Sequence, residues 1–191
     1  MHPAPNPLGS PLLIAVLDLP EIRDRHAFNL ARWKEICANP ELLKVEGRIE
    51  SDAFGHILMR PPPGFSHSTY QYRIAYLLGE TLGHDGASTE CPVSTKKGIR
   101  GVDSVWISPS RRRDALRENI LIIAPEICVE VLSPGNTRAE MDEKRALLFE
   151  AGAEEVWFCD EKGRMFFFMK SAPSEAIGTS TLCPDFPASV G

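Results

Sequence analysis

The stretch PEICVEVLSPGN, residues 125–136, narrows the folds open to this chain more than any other. Ile127, Cys128, Val129, Val131 and Leu132 form a short apolar run, with Pro125 before it and Ser133-Pro134-Gly135-Asn136 after it. Such a run reads as a strand buried on both faces. Glu130 stands inside it. An unpaired carboxylate in that place costs several kcal/mol, so a salt bridge, a raised pKa or a divalent cation must accompany it.

The other segments supply layers for such a strand. RHAFNLARWKEICA carries Phe28, Trp33 and Ile36 and stops at Asn39-Pro40, which predicts a helix. LLKVEGRIES and GHILMR, separated by DAFG and stopped by PPPG, predict an antiparallel hairpin or meander. A helix over roughly 67–83 follows, then strands near 88–94 and 101–108, the strand at 126–132, a helix from 137 to about 151, and the strands EEVWFCD and RMFFFM. This order predicts an α/β fold with one central mixed sheet and helices against it. Residues 1–24 read as a partly irregular lead, 25–170 as the domain, and 171–191, with CPDFPASVG, as an irregular tail.

Composition bounds the function classes. At 191 residues, 43% hydrophobic and 25% charged, the chain is one ordinary globular domain with a sizeable core. Its longest clean apolar run, LLIAVL at 12–17, is far short of a bilayer span, and MHPAPNPLGS lacks the basic region of a signal peptide. A cytoplasmic protein with no membrane partner is expected. Five scattered cysteines without a C-x-x-C pair point to reduced, packed thiols. The net charge of -5 argues against a protein that coats nucleic acid non-specifically. Residues 96–117 run the other way, with Lys96, Lys97, Arg100, Arg111, Arg112, Arg113 and Arg117 against Asp103 and Asp114. That segment is either a solvated loop or a phosphate-contacting patch.

Alternation along strands puts a second acid, like the first, where the pattern expects an apolar residue. In GVDSVWIS, Asp103 shares a face with Val105 and Ile107; in EICVEVL, Glu130 shares one with Cys128 and Leu132. Two carboxylates on neighbouring strands are a usual protein contribution to a Mg²⁺ site. In TRAEMDEKRALLFEAG, Lys144 falls within the arc of Met141, Leu147, Leu148 and Ala151. It either packs its stem and snorkels or turns toward the end of the Glu130 strand, only SPGN away. Thr137 and Glu140 fit a capping box. Upstream, His67, Gln71, Ile74 and Leu78 share one helical face, while Ser68 and Gln71 also fit a capping box. Glu50 is a candidate third carboxylate, in competition with Glu46 and with simple solvent exposure.

GVDSVWISP, APEICVEVLSPGN, EKRALLFEAGAEEVWFCD and, more weakly, GHILMRPPPGFSH resemble the Uma-type restriction endonuclease family of the PD-(D/E)XK superfamily, over roughly residues 45–170. The resemblance implies a restriction-endonuclease-like core in which Asp103 and Glu130 are the acidic residues of the first and second motifs. It also implies that Lys144 replaces a strand lysine whose place is held by Leu132, and that His67 lies at the edge of the site as a proton carrier or phosphate contact. Val102 stands where the superfamily pattern has proline.

The implied activity is Mg²⁺-dependent phosphodiester hydrolysis, Mn²⁺ substituting, on nucleic acid with DNA as the expected substrate. Asp103, Glu130, the Val131 carbonyl and Glu50 are the expected metal ligands, and the resemblance suggests a homodimer. Two alternatives stand beside it. One is a weak or inactive nuclease-fold module that binds nucleic acid or a protein partner. The other is a buried ion-pair network of Asp103, Glu130 and Lys144, which predicts that Glu130→Leu is tolerated.

Overall fold

A computed structural model of the protein describes residues 22–191. Helix α1 (Arg25–Ala38) opens on Asp24, whose carboxylate accepts the Ala27 amide, and stops before Pro40. A hairpin of β1 (Arg48–Ser51) and β2 (Ile57–Arg60) follows, then helix α2 (Phe65–Leu82). The antiparallel pair β3 (Ala87–Thr95) and β4 (Gly98–Trp106) leads to helix α3 (Pro109–Glu118) and strand β5 (Ile127–Val131). Helix α4 (Arg138–Glu150), β6 (Glu155–Cys159), β7 (Met165–Met169) and β8 (Ala172–Ile177) complete the chain.

The six strands β3 to β8 lie in sequence order in one mixed sheet, with β5 and β6 its parallel pair. Every residue of β5 is buried, as its run of branched residues requires. On one face, Cys128, Val156, Phe158 and Phe168 pack under Met141, Leu148 and Phe149 of α4. On the other, Ile127, Val129, Trp157 and Phe167 pack under Ile74 and Leu78 of α2. Each such side chain contributes about 1.5–3 kcal/mol by leaving water, so the sheet end that carries the polar groups is held between two apolar layers. The capping box of Thr137 and Glu140 forms as expected and starts α4 just past β5. All five cysteines are free thiols.

Two expectations are corrected. Residues 171–191 are part of the fold rather than an irregular tail. β8 pairs with β7, and Cys183, Phe186 and Val190 fill the α2 face of the core. The buried Glu155 carboxylate gathers this segment by accepting from Ser180 Oγ at 2.7 Å, the Thr181 amide at 2.7 Å and the Leu182 amide at 3.0 Å. Strand β8 escapes sequence reading because it is an edge strand, largely exposed, with Pro173 tolerated in it.

The arginine run is the second correction: it sits on helix α3, with Pro109 in the first turn and Asn119 closing the end in the left-handed conformation. No residue of α3 is buried, so no apolar period announces it. The local basic surplus is met by acids from elsewhere in the fold. Lys96 pairs with Glu150 and Lys97 with Glu143, while Arg111 pairs with Glu126 and Glu154. Nearly all of the lead at 1–24 lies outside the described residues. Among the described residues, no helix is long and apolar enough to cross a membrane.

Candidate active site

Strands β4 and β5 run antiparallel in the register Ser104↔Val129, so the next pair along sets Asp103 across from Glu130. Both carboxylates are buried. The backbone amide of Val131 donates to Asp103 Oδ2 at 2.7 Å, which fastens Asp103 to the end of β5. Glu130 Oε2 accepts from Lys144 Nζ at 2.6 Å, and Lys144 Nζ also donates to the Gly101 carbonyl at 2.8 Å. Lys144 therefore reaches from α4 across to the ends of β4 and β5. Glu130 Oε1 is buried with no hydrogen-bond partner among the described residues.

The two acids are driven in opposite directions. Burial pushes Glu130 up to about 8, with nearby Asp103 adding to the rise and Lys144 and Arg48 only partly offsetting it. Burial also works against charge on Asp103, but His67, Lys144 and Arg48 outweigh it and hold that carboxyl well below the usual carboxylate range. Two adjacent carboxylates with divergent environments are a pattern of functional sites.

His67, Gln71 and Glu50 converge on the same cleft, a space of about 1130 Å³ that also exposes Arg48, Arg60 and Arg100. His67 Nε2 lies 3.3 Å from Asp103 Oδ2, close but off hydrogen-bond geometry, and Nδ1 is 3.2 Å from Ser133 Oγ. Gln71 is not a capping residue, since α2 begins at Phe65 after Gly64. It donates to the Asp103 carbonyl at 2.8 Å and to Glu90 Oε1 at 2.6 Å. Glu50 is buried and faces the site rather than solvent, its Oε1 accepting the Gly101 amide at 3.0 Å. Among the described residues no three His, Cys, Asp or Glu side chains cluster as a metal cage.

Sequence reading missed Arg48 and Glu90. Arg48 crosses β4 at Gly101, donates to the Gly101 carbonyl at 3.0 Å and pairs through Nη2 with Asp103 Oδ1. Its Nε and Nη2 also hold Glu90 at 2.7 and 2.9 Å. The only trace in the sequence is Gly101 itself: a Cβ there would come within 2.2 Å of Arg48 Cδ.

The chain matches, over residues 35–180, the family model described as "Uma2: Putative restriction endonuclease". It belongs to the Uma2 family. Asp103, Glu130 and Lys144 all lie within the matched residues. A solved structure titled as a "putative nuclease belonging to DUF820" from Anabaena variabilis shares this fold, with a TM-score of 0.62 at 19% identity over 78% of this chain and 92% of that one. No curated protein matches the chain.

For a Uma2 protein the donor set suits a hard divalent cation. Asp103 and Glu130 offer oxygens, as Mg²⁺ prefers, and Glu130 Oε1, without a hydrogen-bond partner among the described residues, is a buried oxygen available to a cation. Asp103 is the more encumbered of the two, with one oxygen on Val131 and the other on Arg48.

Proposed function

We propose that this Uma2 protein is a divalent-metal-dependent endonuclease that hydrolyses phosphodiester bonds of DNA, using Mg²⁺ with Mn²⁺ as a substitute. The observation that carries the reading is Glu130 Oε1, buried beside Asp103 without a hydrogen-bond partner among the described residues while Lys144 grips the other oxygen of the same carboxylate. Asp103, Glu130 and the main-chain carbonyl of Val131 would hold the ion. When bound, it supplies charge to the phosphate oxygens and lowers the pKa of a water. Lys144 Nζ, fixed between Glu130 and the Gly101 carbonyl, would orient or deprotonate the attacking water, or offset the negative charge developing on the phosphorane oxygens. His67, steadied through Ser133, stands at the edge of the carboxylates as a proton carrier or phosphate contact.

Supercoiled plasmid incubated with the purified protein should be nicked in Mg²⁺ or Mn²⁺ and left intact in chelator. Asp103→Asn, Glu130→Gln and Lys144→Ala should each remove nearly all cleavage while circular dichroism stays native. Persistence of cleavage in all three variants rejects the assignment.

A second reading draws support from Arg48, whose guanidinium already neutralises Asp103. A nuclease-fold module that binds nucleic acid or a partner without cutting it would retain DNA with no divalent requirement and give no product.

A further inference from the structure

Glu90 sits in the middle of β3 with φ of 55°, in the left-handed region that a residue with a side chain adopts only where its surroundings force it. The β3–β4 register shows the consequence: it passes from Thr89↔Ser104 to Cys91↔Val102, with Glu90 out of the ladder where it would face Asp103. The twist turns the Glu90 carboxylate to the rim of the cleft. There it accepts Arg48 Nε at 2.7 Å and Nη2 at 2.9 Å, and Gln71 Nε2 at 2.6 Å. The same Nη2 also reaches Asp103 Oδ1, and Nη1 donates to the Gly101 carbonyl. Arg48 thus bridges acids that differ in depth, Asp103 at 3% side-chain exposure and Glu90 at 41%, with the buried Glu50 Oε1 more loosely placed 4.0 Å from Nη1.

We infer that Arg48 is a tethered counter-ion: without a divalent ion it neutralises Asp103, and it yields Asp103 Oδ1 to an incoming ion while Glu90 keeps the guanidinium at the rim. The physical need is plain, since a buried carboxylate stripped of its partner is strongly unfavourable. A planar fork with five donors can serve two acids at once and give up one of them without leaving the other. Gln71, bonded to both Glu90 and the Asp103 carbonyl, fixes the distance over which the exchange takes place. This inference rests on the proposed metal site and concerns how that site stays charge-balanced when empty of metal.

The test is calorimetric titration of Mn²⁺ into the whole protein with no nucleic acid present. Arg48→Gln removes the competitor and should tighten Mn²⁺ binding by about tenfold, and Glu90→Gln, which frees Arg48 to settle on Asp103, should weaken it by about as much. In the Arg48→Gln background the Glu90→Gln change should have much less effect, because Glu90 acts through the arginine. Arg48→Lys, a point charge that cannot span both acids, should fall between wild type and Arg48→Gln. It serves as the readable variant if Arg48→Gln does not fold.

If wild type binds Mn²⁺ and the folded Arg48 variants bind it no more tightly, the exchange is wrong and the metal site stands. If neither wild type nor any Arg48 variant binds Mn²⁺, both the exchange and the metal-dependent reading fall.

Discussion

Lys144 Nζ meets Glu130 Oε2 at 2.6 Å although the two side chains come from a helix and from the strand before it. The tight Ser133–Asn136 turn and the Thr137 cap return the chain at once. The second turn of α4 is thereby brought over the end of β5. Charge compensation at Glu130 is therefore built by a local connection rather than by a distant part of the chain.

That pair should respond to pH. Burial raises the Glu130 carboxyl above its value in the unfolded chain. The folded state then binds its proton more tightly, and stability is lost as pH climbs from the ordinary glutamate range through about 8. Lys144→Met should cost about 2–4 kcal/mol at pH 9, where wild-type Glu130 is charged and paired while the variant must bury the charge alone or keep its proton, and far less at pH 5, where Glu130 carries a proton in both. Urea denaturation at the two pH values reads the difference, and equal losses would contradict it.

Glu130→Leu separates a catalytic carboxylate from a purely structural ion pair. Folding should survive it, since an apolar residue fits the core of β5 and Lys144 retains the Gly101 carbonyl. Plasmid nicking should disappear. A folded Glu130→Leu protein that still cuts would leave the carboxylate with only a structural role.

Glu155 should anchor the C-terminal segment. Burial opposes its charge, but bonds from Thr181, Ser180, Trp157 and Leu182 prevail and hold it below the usual carboxylate range. The stability it confers is present above the unfolded-chain pKa and fades as pH falls below it. Glu155→Gln should cost about 3 kcal/mol at neutral pH, and the gap from wild type should shrink below about pH 4. Thermal melts across that range check it.

Gly101→Ala should damage the cleft from beneath. The new Cβ would come within 2.2 Å of Arg48 Cδ, an overpacking worth about 1–3 kcal/mol. The cost should fall sharply in an Arg48→Ala background, where the colliding methylene is gone. Additive losses in the double variant would show that the glycine serves something other than passage of the arginine.

Arg145 lies buried on α4 with its guanidinium 4.3 Å from the Phe168 ring centroid and 5.6 Å from that of Phe158. Arg145→Ala should lose about 2 kcal/mol through packing and cation–π attraction together, while cleavage is retained. Chemical denaturation and plasmid nicking on the same preparation measure both.

The α/β architecture, the buried β5, the stripe His67-Gln71-Ile74-Leu78 and the inward positions of Asp103, Glu130 and Lys144 follow from periodicity, because burial imposes a repeat of two on strands and of 3.6 on helices; that the three side chains belong together was what the family resemblance implied. The same rule explains what escaped. Helix α3 buries nothing and β8 lies at an edge, so neither carries a repeat. Arg48 and Glu90 were illegible for another reason: they sit 42 residues apart, and their meeting depends on how the β1–β2 hairpin lies across β4.

By itself, then, the sequence determined that a charge must be compensated inside a buried strand and that a lysine on the inward arc of the next helix was a candidate to do it, because both demands are local. Only the tertiary structure decided that Asp103 is held by an arginine from a separate hairpin, and that a strained glutamate holds this arginine in turn. Contacts between elements remote in the chain leave no period in the sequence, and they exist only once the layers have packed.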